Sequence, residues 1–131
     1  MIDSQIEYLI ARYKTTTFKW GVFDCAQFAA KAMLKIHGLK IELPTYSSER
    51  EALRVLRSKD GLHNCLDDIG LERFDASTSQ RGDLLVIKND DAWGYALALN
   101  VGNGAACPAD VGLKIVGRDR WVGAWRPSCH S

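Results

Sequence analysis

Residues 18–48 read FKWGVFDCAQFAAKAMLKIHGLKIELPTYSS, and the fold class turns on the middle of this stretch. Asp24 is a residue type that caps helix N-termini, Gln27 sits at the reciprocal capping position, and Gly38 stands where a left-handed residue closes a helix. These signals predict a helix from Cys25 to His37. Its apolar residues Phe28, Ala29, Ala32, Met33 and Ile36 form one stripe, while Gln27, Lys31 and Lys35 fall off it, so one face is expected in a core.

Upstream, threonines 15 to 17 and the aromatic run Phe18, Trp20 and Phe23 break any helical period, and Gly21 permits a turn other residues resist, so a packed loop is expected. Before that loop, Ile6, Leu9, Ile10 and Tyr13 recur at helical spacing behind Ser4 and Glu7, arranged as a capping box. Downstream of Leu43-Pro44, Ser48 and Glu51 repeat that box ahead of Ala52, Leu53, Val55 and Leu56, predicting a third helix that ends before Gly61. A shorter helical piece is expected over Leu62 to Ile69, stopped by Gly70, and a brief strand over Leu71 to Phe74.

From Gly82 the pattern changes to short apolar runs separated by turn residues: Asp83 to Lys88, Tyr95 to Val101, Gly112 to Val116 and Trp121 to Trp125. Asn103-Gly104 is a tight-turn signal, which argues for antiparallel neighbours. Helices first and antiparallel strands second predict an α+β fold, with N-terminal helices packed on a C-terminal antiparallel β-sheet and a single domain over residues 1–131.

Composition agrees with an ordinary globular domain: 131 residues, 47% apolar and 25% charged. The 17 basic and 16 acidic residues give a net charge of +1. Neither sign gathers into a run that tracks phosphates, so nucleic-acid binding is not expected. No stretch approaches the ~20 apolar residues of a membrane span, and the start MIDSQIEYLI lacks the layout of a signal peptide, so no membrane insertion and synthesis in cytoplasm are expected. Cys25, Cys65, Cys107 and Cys129 form no CxxC pair and are expected as free thiols. Neither a metal nor another cofactor is expected; Cys65 near His63 and Cys129 beside His130 are the local hints toward a metal site.

Cys25 falls in the first turn of a capped helix, where unpaired backbone N–H groups and the helix dipole favour a thiolate. That is a suitable place for a nucleophile, although a packed cysteine is the commoner use of such a position.

Trp20-Gly21, Asp24-Cys25 and Leu43-Pro44 occur in the order seen at the opening of NlpC-type, papain-like cell-wall cysteine peptidases. Arg81-Gly82-Asp83-Leu84-Leu85-Val86 resembles the strand-opening GD motif of the same family. The resemblance spans most of residues 18 to 116 and implies a papain-like fold. It also implies an activity in active members: hydrolysis of amide bonds in peptidoglycan stem peptides, with the cysteine attacking and a histidine on the next strand serving as base and acid.

The place of that histidine is held here by Gly94, Tyr95 or Ala96, of which Tyr95 offers only a weak phenolic donor. His37 lies twelve residues beyond Cys25 on one helix, about 18 Å away at about 1.5 Å per residue, and is excluded as a direct partner. His63 and His130 are expected in surface roles. Asn100, Asn103 and Asp110 fall where the family places its third, orienting residue, but without a histidine they have nothing to orient. Trp20, Asp24, Gln27 and Trp93 are candidates for a groove lining or for packing; Trp121 and Trp125 are open to the same two uses, with packing the commoner for all four tryptophans.

The pairing of FKWGVFDCAQFA at residues 18–29 with a GD strand lacking histidine, followed by Gly112-Leu113 and a terminal Ala124-Trp125-Arg126, looks like small proteins encoded among phage and prophage tail genes. That resemblance implies a virion location, in the tail tip or hub, with other tail proteins as partners and peptidoglycan as a further contact. The missing base favours a structural or assembly role, with Cys25 a vestigial nucleophile position. The alternative is a divergent peptidase or amidase that cleaves stem peptides, completed by His63, Tyr95 or a partner.

Overall fold

The computed structural model describes residues 2–58, 61–89 and 94–127. Among the described residues four helices come first: α1 (Ile2–Tyr13), α2 (Cys25–His37), α3 (Glu49–Ser58) and α4 (Leu62–Asp68). Six strands follow: β1 (Leu71–Phe74), β2 (Leu84–Lys88), β3 (Tyr95–Asn100), β4 (Ala105–Pro108), β5 (Leu113–Val116) and β6 (Trp121–Pro127), with single 3-10 turns at Ala76–Thr78 and Arg118–Arg120. The strands form one sheet in the order β1-β6-β2-β3-β4-β5, and every neighbouring pair is antiparallel. The α+β expectation holds.

The central helix forms as its sequence predicts. The Asp24 side chain accepts from the Gln27 N–H, and Gly38 closes α2 in the left-handed region at φ 68°, its N–H donating to Leu34 O. The next N–H, of Leu39, reaches back to Met33 O, which completes the capping of the last turn. Phe28, Ala29, Ala32 and Met33 are buried, and Ile36 packs at the edge of the same cluster.

The first helix differs from expectation. It begins at Ile2, so Ser4 lies inside it rather than at its cap. At α3, Ser48 Oγ does accept from Glu51 N–H at 3.2 Å, but the Glu51 carboxylate turns to Ser47 N–H and Oγ instead of closing the reciprocal box.

The loop between α1 and α2 is stitched rather than loose. Thr17 bridges Val111, Lys19 bridges Phe23, and Phe18 N–H donates to Asp110 O at 2.9 Å. Tyr13 and Phe23 stack at 5.1 Å, and Phe28 meets both rings edge-on, so the aromatic run anchors the loop to the helices.

β2 is central, and Leu84, Leu85, Val86 and Ile87 are all buried because they alternate between two cores. Leu84 and Val86 join Leu97, Leu99 and Trp125 against the helices. Leu85 and Ile87 join Ala98, Cys107 and Trp121 on the other face. β6 carries one extra residue, Val122, opposite the Val86–Ile87 step, a bulge that increases the local twist.

One strand was not expected. β4, Ala-Ala-Cys-Pro, pairs with β3 and β5, although alanine and proline are poor strand formers. The turn before it spans Val101 to Gly104, and of its two glycines the positive φ falls on Gly102 rather than Gly104.

Candidate functional site

The Trp20–Cys25 loop is fixed from below. Asp24 is 1% exposed, and its carboxylate accepts from Gly21 N–H at 2.8 Å and Gln27 N–H at 2.9 Å. The Tyr46 hydroxyl donates to it as well, lying 2.9 and 2.8 Å from its two oxygens. Gly21 has φ +80°, and a Cβ there would stand 2.0 Å from the Tyr46 carbonyl oxygen. The WG loop, the helix start and the LPTY loop are therefore locked around one buried carboxylate. Gln27 contributes its backbone N–H to Asp24.

Cys25 opens α2 and faces β3, where the backbone of Leu97 reaches its sulfur. Leu97 and Leu99 lie in the helix-side core, and Tyr95 shares their face by the two-residue period of the strand. Tyr95 therefore comes to the same place as Cys25: both line a hollow of about 380 Å³ and an adjoining one of about 240 Å³, together with Trp20. The sequence candidates Trp20, Cys25 and Tyr95 are thus brought together. Asp24 sits at the wall of the smaller hollow, while Gln27 lies on the other side of the LPTY loop. Trp93 lies outside the described residues, as do Cys129 and His130.

The protonation of Cys25 corrects the expectation from its helix position. Burial pushes the thiol up to about 11. The backbone at Leu97 and Ala26 pulls the other way, while the Asp24 charge, and more weakly Cys107, adds to the rise. The first-turn position is outweighed by enclosure and by the adjacent carboxylate. At neutral pH such a thiol stays protonated.

Of the histidines, His37 has its Nε2 2.9 Å from Gly82 O, which ties the end of α2 to the GD loop. His63 is half-buried rather than on the open surface expected for it, with its ring edge-on to Tyr95 at 5.5 Å and to Trp125 at 5.5 Å. Asn100 is buried, and its side chain donates to Ser79 Oγ and accepts from Gly102 N–H. Asp110 is exposed on a loop. Neither Asn100 nor Asp110 is drawn into a triad by these bonds.

The GD motif has a structural use the sequence did not reveal. Asp83, 2% exposed, accepts from Gln80 N–H and from Arg126 Nη2 at 2.8 Å. The Arg126 guanidinium also lies 3.8 Å over the Phe74 ring. Tyr46 and Arg126 carry no local signal of these roles, because their partners lie 22 and 43 positions away.

Among the described residues, no group of three or more histidine, cysteine or carboxylate side chains is placed to hold a metal ion, and no helix is long and apolar enough to cross a membrane.

Over residues 2–127 the sequence matches the family described as a domain of unknown function, DUF6950, and the chain belongs to that family. No curated protein matches it.

Proposed function

We propose that the chain is a papain-like domain of the NlpC type that serves as a non-catalytic structural or assembly component of a phage tail tip or hub. The carrying observation is Cys25: it stands at the start of a helix facing an antiparallel strand, yet its thiol is pushed up to about 11. A nucleophilic cysteine needs the opposite, a thiolate at working pH with a base beside it. The side chain that shares its place from β3 is Tyr95. Support for the papain-like reading comes from the WG, DC and GD residues, which meet the helix start and the sheet in the order the resemblance implies.

Particles produced by a prophage that carries the gene provide the test. The chain is expected in purified tails by mass spectrometry, and a Cys25→Ala version should assemble equally infectious particles. Normal assembly with lost infectivity in Cys25→Ala would count against the proposal.

The peptidase reading keeps one observation in its favour: Cys25 and Tyr95 line common hollows, and His63 packs on Tyr95. It predicts new amine termini when the purified chain meets stem peptides, abolished by Cys25→Ala and by His63→Ala. The proposal predicts none.

A further inference from the structure

The two hollows that meet at Trp20, Cys25 and Tyr95 differ in chemistry. The larger runs over β3–β5, and its charged lining among the described residues is Lys88, Lys114 and Arg120 against one carboxylate, Asp119. Arg120 Nη1 also donates to the Lys88 backbone O at 3.4 Å. The smaller is walled by apolar side chains from the α2–α3 loop, α3, α4 and β3, including Ile41, Val55, Leu56, Leu62 and Leu97. The carboxylates of Glu42 and Asp68 also line it, so an acidic group is repelled from this half and drawn to the other.

Two further features point to an extended polypeptide. α3 buries none of its residues fully, and its Ala52, Val55 and Leu56 side chains face the smaller hollow half-exposed, leaving apolar area for an occupant to cover. Among the described residues β5 is an edge strand with β4 on one side only, and residues 114–117 form a wall of the larger hollow. An extended backbone fits along such a strand wall.

We propose that this groove holds an extended segment of a partner protein in which apolar residues are joined to acidic ones. The apolar side chains lie under α3, and the carboxylates lie against Lys88 and Lys114. The inference rests on the docking role proposed above and names the chemistry of the partner.

Calorimetric titration of the full chain with short synthetic peptides tests it. An apolar-then-glutamate peptide is expected to bind at least about tenfold tighter than its lysine counterpart, with affinity falling as salt rises. The double variant Lys88→Glu/Lys114→Glu should weaken that peptide about tenfold and favour the lysine peptide, while Lys31→Glu, exposed on α2, should change neither. Val55→Ser, checked for folding by circular dichroism, should weaken both peptides. Equal binding of the glutamate and lysine peptides, indifference to charge reversal, absence of binding, or preference for a peptidoglycan fragment would each overturn the inference. Cleavage of a bound peptide would instead sink the docking role itself, so the two failures are distinguishable.

Discussion

At the scale of single residues, the site is organised around Asp24. Its carboxylate is buried, so each donor matters more than it would in water. Tyr46→Phe removes one donor and leaves the carboxylate less satisfied; a loss of about 1–3 kcal/mol in urea unfolding is expected. Gly21→Ala forces a Cβ against the Tyr46 carbonyl at a left-handed φ and should destabilise by at least about 1–2 kcal/mol in the same measurement. The capping roles of Asp24 and Gln27 were legible in the sequence because capping is local, three residues apart. Tyr46 was not, because nothing within its own segment signals a partner on another loop. Cys25 was read in the right place with the wrong protonation, since the dipole of a helix is visible in a sequence and the enclosure of a sulfur by distant residues is not.

At the scale of elements, two long-range ties explain what the GD stretch does: one joins it to the end of α2, the other joins the start of β2 to β6. His37 meets Gly82 O from the end of α2, and Asp83 pairs with Arg126 from β6. The Asp83 carboxyl is nearly inaccessible, 3% exposed, so removing its partner leaves a buried charge. Arg126→Ala is expected to cost about 3–5 kcal/mol in chemical denaturation, whereas Arg54→Ala on the exposed face of α3 should stay within about 0.5 kcal/mol. The continuous run LLVI in β2 could be read as a strand, and its burial on both faces accounts for the lack of alternation. β4 escaped because its residues have weak strand preference; its pairing is imposed by β3 and β5 on either side.

At the scale of the molecule, several buried acids point the same way with pH. Burial raises Cys25, Cys107, Tyr13 and Tyr46 above their ordinary values of 9.0 for cysteine and 10.0 for tyrosine. Each is therefore protonated in the native state at pH values where the unfolded chain has released its proton. Above about pH 9 the unfolded state binds fewer protons, so stability falls as pH rises. Urea midpoints should be lower at pH 10 than at pH 7, and a midpoint that rises over that interval would contradict these placements. The helix-then-sheet order and the antiparallel pairing were readable from periodicity and turn residues. The groove was not, because it is assembled from the loops and strand ends of Trp20, Tyr95 and Lys114, which no local pattern connects.

The central claim is that Cys25 keeps the position of a nucleophile without its activation. The rate of Cys25 alkylation by iodoacetamide, followed by peptide mass spectrometry across pH on the folded chain, measures this directly. The account predicts slow labelling at neutral pH and a rise with a midpoint near 11; a midpoint below about 7, with fast selective labelling of Cys25, would contradict it.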